Sequence, residues 1–325
     1  MPANLSPEYH RAEERLRTAK STSEKVDALE EMLRVIPKHK GTDHMQADLK
    51  SRIAKLRKEG GKKSGKAGFS YIIPREGAGQ VALAGPPNSG KSSLVCALTH
   101  ATPAVGDYPF TTREPIPGMM PFEDIAFQLI DLPPLSEQHV ETWVFDLIRH
   151  ADLIWVVLDG ERAIEGFDEA RRVLEARNIG LYPAGTEPRY LTAAVQKKAI
   201  VAVTGVDKPG VADALPVVEE LLEGRWRVTG VSASSGAGLE ELARRTFEAF
   251  AIMRVYTKQP GKPRDGSAPF ALPLGSTVGD LAERIHKDLV GSMTFARVWG
   301  PSAFDGQAVQ KEHVLAEGDI VEIHE

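Results

Sequence analysis

The chain has 325 residues, of which 42% are apolar and 26% are charged, as in soluble globular proteins of two or three domains. Its 45 acidic and 40 basic side chains give a formal net charge of −5, so composition predicts no global attraction to nucleic acid or membrane. The single cysteine, Cys96, excludes an intramolecular disulfide and a cysteine-based metal cluster. The N-terminus is polar and charged and the apolar stretches are strand-sized, so we predict a cytoplasmic protein without a membrane partner.

Residues 1–66 predict an N-terminal helical arm that ends in a basic linker. Apolar side chains recur at helical spacing in three segments, which are separated near Ser21 and Pro37. Between residues 37 and 66, ten lysines and arginines stand against three acidic residues. This excess indicates either a solvated helix face with a flexible linker or a surface that contacts RNA phosphates, and both readings stay open.

From residue 67 to 251, short apolar runs alternate with helical patterns. The runs of strand length are 81–84, 125–130, 153–158, 199–203 and 226–231. Alternation of this kind predicts an α/β domain whose sheet is rich in parallel strands and has helices on both faces.

Residues 252–325 have a different pattern, which predicts a small α+β domain. Strand-like segments at 252–257, 269–272, 296–299 and 320–323 flank a helix predicted over 277–289. Thr277 and Asp280 occupy capping-box positions at the start of this helix. One apolar helix face is then enough to pack the helix on a short sheet.

The most specific local motif is G-P-P-N-S-G-K-S at residues 85–92, between a predicted strand and a predicted helix. It matches the pattern G-x-x-x-x-G-K-S, in which backbone N–H groups surround phosphates and the lysine reaches the outer ones. The predicted nucleotide-binding residues here are Asn88, Ser89, Gly90, Lys91, Ser92 and Ser93. Lys91 is also a predicted catalytic residue, and the Ser92 hydroxyl is a predicted Mg²⁺ ligand.

Two further segments lie at the positions expected for nucleotide-sensing switches. In D-Y-P-F-T-T at 107–112, we predict that Thr112 ligates Mg²⁺ and takes part in catalysis, with its neighbour Thr111 left open. Asp131 follows a predicted strand and is expected to hold a magnesium-bound water. Pro134 stands where the usual D-x-x-G motif has glycine, and it has no N–H to sense a third phosphate. No glutamine follows in the position that orients the attacking water, so we expect slow intrinsic hydrolysis.

The predicted base-reading loop is T-G-V-D at 204–207, which follows another strand. Asp207 is placed to accept hydrogen bonds from guanine N1 and N2. The common form of this loop is N-K-x-D, so Thr204, a predicted nucleotide-binding residue, replaces the asparagine, and Gly205 replaces the lysine that lies along the base. Ser232 and Ala233 match a loop that points a backbone N–H at guanine O6, although a plain Ser/Gly turn is an alternative.

Together these motifs resemble the Obg/DRG family of GTPases, the second name denoting developmentally regulated GTP-binding proteins. The resemblance rests on residues 85–94 and 107–112 and on C-terminal segments that look like a TGS domain, including V-Y-T-K-Q-P-G-K-P (255–263) and L-P-L-G-S-T-V-G-D-L-A (272–282). It is closest to the DRG branch, and it implies three domains. These are a helical arm with a basic linker at 1–66, a P-loop GTPase domain at 67–251, and a β-grasp TGS domain at 252–325.

The resemblance implies a Mg²⁺-dependent enzyme that hydrolyses GTP to GDP and phosphate in ribosome-associated translation or ribosome assembly. Asn88 matches an asparagine by which some relatives coordinate K⁺, or it only stabilises the loop. A ribosome or ribosomal RNA is the expected partner of the basic segment and the TGS domain, and a protein cofactor is left open. The alternatives are a guanine-nucleotide-dependent RNA-binding or ribosome-binding module with little hydrolysis, and an ATPase, against which Asp207 argues. The candidate RNA-contacting residues of the TGS domain are Tyr256, Lys258, Lys262, Arg264, Arg297 and Trp299. Alternatively, the two aromatic side chains are partly in the core and the charged ones are only solvated.

Overall fold

The computed structural model describes residues 9, 11, 15–16, 22–36, 46, 48–53, 73–99, 117–137, 140–188, 193–264 and 266–325. The chain divides into two compact units, Met1–Ser70 and Tyr71–Glu325. Most of the predicted basic segment and the segment 107–112 lie outside the described residues. Within the described ranges, no helix combines the length and the hydropathy needed to cross a bilayer.

The first unit contains helix α1 (Thr22–Val35), which buries one apolar face. Residues 48–53 are also helical. The side chains that form this small core are Tyr9, Leu29, Met32, Ile36, Leu49 and Ile53. The apolar periodicity of the sequence thus corresponds to a small core formed within the first unit.

The N-terminal part of the second unit alternates strands and helices as expected. Its elements are β1 (Gln80–Ala84), α2 (Lys91–Thr99), β2 (Pro117–Phe122), β3 (Ile125–Asp131), α3 (Thr142–His150), β4 (Leu153–Asp159), α4 (Ala163–Glu175), β5 (Ile179–Pro183), β6 (Val195–Thr204), α5 (Val211–Leu221), β7 (Val228–Val231) and α6 (Leu239–Phe250). In the described chain they form a seven-stranded sheet of order β2-β3-β1-β4-β6-β5, with β7 also paired to β6. The β2–β3 pair is antiparallel, and the other pairs are parallel.

Both faces of this sheet are covered by helices. Alternate side chains of β4 point to opposite faces: Ile154 and Val156 pack with α3 and α4, whereas Trp155 and Val157 pack with α2 and α6. All four of these side chains are fully buried. The predicted α/β class, with a parallel-rich sheet between helical layers, is therefore confirmed.

The sequence did not predict strands β2 and β5, and both lie at the edges of the sheet. An edge strand has one solvated side, so it does not need the continuous apolar run by which β1 and β4 are recognised. Strand β6 is also longer than its apolar run. Lys197 and Lys198 lie within it, and their ammonium groups donate to the carbonyls of Ala151 at 2.7 Å and Ala249 at 2.8 Å. Capped in this way, long basic side chains are accommodated in a half-buried strand.

The C-terminal part is a TGS-sized α+β domain. Its elements are β8 (Ile252–Thr257), β9 (Phe270–Pro273), α7 (Val278–Ile285), α8 (Leu289–Ser292), β10 (Phe295–Gly300), β11 (Ala303–Val309) and β12 (Ile320–His324). The sheet order is β11-β10-β12-β8-β9, in which β8 and β12 are parallel neighbours. Thr277 and Asp280 form the predicted capping box. The predicted helix end at Leu289 is wrong, because His286 is already extended at φ −159° and ψ 136°.

The two domains of the second unit are joined by a single residue, Ala251, between α6 and β8. Arg254 of β8 pairs with Glu123 and, at 3.0 Å, with Asp124 in the turn between β2 and β3. The Tyr256 hydroxyl also donates to Asp124. The first strand of the C-terminal domain, β8, is therefore bound to the hairpin whose second strand ends at Asp131.

Candidate nucleotide-binding site

The P-loop connects the end of β1 to the start of α2, so its backbone N–H groups and the positive end of the helix converge. Asn88 and Gly90 adopt left-handed conformations, with φ values of 61° and 88°. Gly90 is favoured by its backbone angle, and a Cβ built on it would lie only 3.1 Å from the methyl carbon of Thr204. Asn88 is exposed at the loop tip, and Ser89 is buried beneath it.

The ammonium group of Lys91 lies inside this loop. Its Nζ donates to the carbonyl oxygens of Pro86 at 2.8 Å and Gly85 at 3.0 Å, and it lies 3.3 Å from the Ser89 hydroxyl. Burial lowers the pKa of Lys91 to about 8, although the negative charge of Asp131 opposes the shift. A cation held only by neutral oxygens would gain a stronger partner in a phosphate.

Ser92 and Asp131 meet beside the loop. The Ser92 hydroxyl donates to Oδ2 of Asp131 at 2.6 Å. The other carboxylate oxygen, Oδ1, is buried and has no hydrogen-bond partner among the described residues. A hydroxyl next to a carboxylate with a spare oxygen suits a hard cation and its bound waters. These residues therefore fit Mg²⁺, whereas Thr111 and Thr112 lie outside the described residues.

The segment after Asp131 is anchored to the P-loop. Leu132 and Leu135 are buried in the core, and the Leu135 N–H donates to the Gly85 carbonyl at 2.9 Å. Pro134 between them is exposed and has no N–H. The first N–H after Pro134, that of Leu135, is thus already used in a hydrogen bond to the P-loop.

Thr204 links the P-loop to the base-reading loop. It ends β6, and its hydroxyl lies 3.0 Å from the Ser89 carbonyl and 3.2 Å from the Leu158 carbonyl. One hydroxyl proton is thus shared between two acceptors. The replacement of asparagine by threonine keeps a side-chain connection between the two loops.

Asp207 is exposed and is oriented by the loop that follows β7. Its Oδ2 accepts from the Ser234 hydroxyl at 2.9 Å. Hydrogen bonds from Ser232 and Ser234 lower the pKa of Asp207, so the carboxylate is ionised at neutral pH. It is then an acceptor for N–H donors only.

Ser232 and Ala233 lie in the same loop and shape it. Ser232 is buried, and its hydroxyl accepts from the Ser235 N–H at 3.2 Å. Ala233 packs against the core cluster that contains α2 and α6. The structure thus brings Asp207, Ser232 and Ala233 together at one end of the site and Lys91, Ser92 and Asp131 at the other. Ser93 is exposed on α2.

Sequence reasoning missed Ser234 and Lys208. Ser234 follows the Ser-Ala pair directly, and its hydroxyl orients Asp207. Lys208 follows Asp207 in the chain and forms ion pairs with Glu161 at 3.2 Å and Asp159 at 3.7 Å. The one sequence signal that could have indicated Lys208 is its position directly after the predicted base-reading motif.

Comparison with known proteins agrees with this geometry. Residues 80–184 match the profile of the 50S ribosome-binding GTPase family, and residues 253–325 match that of the TGS domain. An uncharacterized GTP-binding protein of Methanocaldococcus jannaschii is 28% identical, covering 92% of this chain and 92% of its own. GTP-binding protein 1 of Schizosaccharomyces pombe is 28% identical, covering 92% of this chain and 98% of its own. Developmentally-regulated G-protein 3 of Arabidopsis thaliana is 29% identical, with coverages of 92% and 98%.

The fold, the P-loop and the two matched profiles define a P-loop GTPase domain followed by a TGS domain. Within that class, the chain is similar over most of its length, at 27–29% identity, to proteins named developmentally regulated GTP-binding proteins or G-proteins. The resemblance that the motifs indicated is therefore confirmed.

Proposed function

We propose that this protein hydrolyses GTP to GDP and phosphate in a Mg²⁺-dependent reaction with slow intrinsic turnover. The observation that carries the proposal is the buried Lys91 ammonium inside the P-loop beside the Ser92–Asp131 pair. A cation and a hydroxyl–carboxylate pair at the end of a phosphate-binding loop are the groups that phosphoryl transfer requires.

The protein residues have separate roles in this proposal. Lys91 exchanges its carbonyl partners for the outer phosphate oxygens and stabilises the charge that develops there. Ser92 would ligate Mg²⁺ and Asp131 would hold one of its waters, with Thr112 proposed as a further ligand and as a catalytic residue. Mg²⁺, when bound, neutralises negative charge on the phosphate oxygens. The loop residues Asn88, Ser89, Gly90 and Ser93 surround the phosphates.

Guanine is the proposed base because an ionised Asp207 accepts from the N1 and N2 donors of guanine, whereas adenine presents no donor at N1. Ser232 and Ala233 are proposed to place a backbone N–H near guanine O6. Coordination of K⁺ by Asn88 stays a proposal from the sequence, as do the three domain boundaries and cytoplasmic localisation.

A second candidate function is a guanine-nucleotide-dependent binding module that hydrolyses little and does not switch conventionally. It is favoured by the hydrogen bond from the Leu135 N–H to Gly85 and by Pro134, which together leave no free N–H at the usual sensing position. In this case GDP and GTP would bind with similar affinity.

We also propose a ribosomal partner, supported by the name of the matched family, 50S ribosome-binding GTPase, and by the TGS domain. Of the candidate TGS residues, Lys262, Arg264 and Arg297 are exposed. Lys258 instead pairs with Glu322 at 2.8 Å and lies over the Trp299 ring. The three exposed cations are therefore the better candidates for phosphate contact.

The test is phosphate release from GTP and from ATP, with and without Mg²⁺ and in KCl or NaCl, for the wild type and Asp131→Asn. We expect Mg²⁺-dependent turnover that favours GTP and falls about tenfold or more in Asp131→Asn. Asp305→Asn, an exposed carboxylate on the TGS domain, is the matched control and should match the wild type. Tight GTP binding without turnover would select the binding module, and preferred turnover of ATP would contradict the guanine assignment.

A further inference from the structure

We propose that Lys208 provides the side-chain surface on which the guanine ring lies, in place of the lysine that the usual base-reading motif carries at the position of Gly205. This inference rests on the proposed GTP site, and it assigns the base-packing residue of that site.

The turn after β6 folds Lys208 back over Gly205. The Lys208 N–H donates to the Gly205 carbonyl at 2.9 Å, which closes a four-residue turn. A Cβ built on Gly205 would lie 3.3 Å from Cδ and 3.4 Å from Cε of Lys208. The methylene chain of Lys208 therefore lies in contact distance of the point at which a side chain of residue 205 would begin.

The backbone conformation also favours glycine over lysine at position 205. Gly205 has a φ of 80°, in the left-handed region where a lysine would be strained. A lysine at position 205 is thus disfavoured by the backbone conformation. Gly205 permits the turn, and Lys208, three residues later, provides the methylene chain beside it.

Two carboxylates hold the far end of the Lys208 side chain. Its Nζ lies 3.2 Å from Oε1 of Glu161 and 3.7 Å from Oδ1 of Asp159. Asp159 ends β4 and lies in register beside Thr204 at the end of β6. The exposed side chain therefore runs from the turn after β6 towards the end of β4.

This position suits an aromatic base. The Asp207 carboxylate fixes the polar edge of a guanine, and the adjacent Lys208 offers apolar methylenes and a cation to the ring face. Packing of this kind does not distinguish one purine from another. Lys208 is thus expected to raise affinity, while Asp207 provides selectivity.

The test compares a ligand that has a base with one that lacks it. Calorimetry measures the affinities of GDP and inorganic pyrophosphate for the wild type, Lys208→Ala and Lys208→Met. We expect Lys208→Ala to weaken GDP by about tenfold and leave pyrophosphate unchanged, since stacking contacts with a base have this size. Lys208→Met keeps the methylenes and should retain most of the GDP affinity. Lys287→Ala, an exposed lysine of the TGS domain, is the matched control and should behave as the wild type.

The outcomes separate this inference from the proposed function. If the wild type binds GDP and Lys208→Ala binds it equally well, or if GDP and pyrophosphate weaken together, Lys208 is not the base-packing residue. If the wild type itself fails to bind GDP, the proposed function fails as well. Melting temperatures without nucleotide check that each variant is folded.

Discussion

The proposed phosphate-binding half of the site, residues 85–92 with Asp131, takes its shape largely from main-chain angles, whereas the proposed base-binding half, residues 204–208 with 232–235, depends more on side-chain contacts. Main-chain N–H groups are positioned by backbone angles, so that half needs its glycines and lysine at fixed spacing. Side chains can reach one place from different positions, so the other half tolerates exchange. Thr204 lies where the usual motif has asparagine, and Lys208 is proposed to replace, from three residues later, the lysine that the usual motif carries at position 205.

Removing Lys91 should break the phosphate half alone. We expect Lys91→Ala to weaken GDP and GTP by about a hundredfold, since charge-assisted hydrogen bonds to phosphate are lost. The melting temperature of the free protein should stay the same or rise, because a buried cation with a lowered pKa is removed. Calorimetry and thermal unfolding measure the two effects. GDP affinity within threefold of wild type would contradict the assignment.

A substitution of Asp207 should change the choice of base and leave the phosphate contacts unaffected. Asparagine presents an N–H donor where guanine also presents donors, so Asp207→Asn should weaken GDP by about thirtyfold and improve binding of xanthosine diphosphate. Competition between the two nucleotides measures this exchange. Ser234→Ala serves as the control, because it removes the hydroxyl that orients Asp207 and leaves the acceptor in place. An equal loss for both nucleotides would show that Asp207 acts on folding and not on the base.

The smallest expected effect is a pH dependence of GDP affinity that arises from Lys91. The pKa of Lys91 is about 8 in the free protein, and phosphate favours its charged form, so binding takes up a proton as the pH rises through that value. Between pH 7 and 8.5 the charged fraction falls about fourfold, and GDP affinity should fall by the same factor. Calorimetry in buffers of different ionisation enthalpy detects the proton uptake. The residual affinity of Lys91→Ala should not change over this range, and a flat wild-type profile would contradict the prediction.

The sequence predicted the central strands of the α/β sheet, which are buried on both faces, and also the edge strands β7 and β9. Strands β1 and β4 are continuous apolar runs because helices cover both faces of the sheet at these positions. The strands it missed, β2, β5 and β11, all lie at sheet edges. Their pairing depends on a neighbouring strand more than on their own composition, so no local pattern marks them.

The same distinction holds within the site. The P-loop could be predicted because its residue spacing encodes its backbone path. The contacts of Lys208 could not, because they depend on the turn after β6 and on the end of β4, more than forty residues earlier. The hydrogen bond from Leu135 to Gly85 was likewise invisible, although the sequence did show that Pro134 lacks an N–H.

The junction at Ala251 determines how this protein can be taken apart. The Arg254 side chain is only 14% exposed, and it is shared between Glu123 and Asp124 of the GTPase domain and Glu317 of the TGS domain. Division of the chain at Ala251 would leave two carboxylates on one fragment without their cation and a guanidinium on the other without most of its counter-charge. Neither fragment would then reproduce the surface it has in the whole chain, so domain-swapping and truncation experiments should keep the hairpin and Arg254 on the same polypeptide.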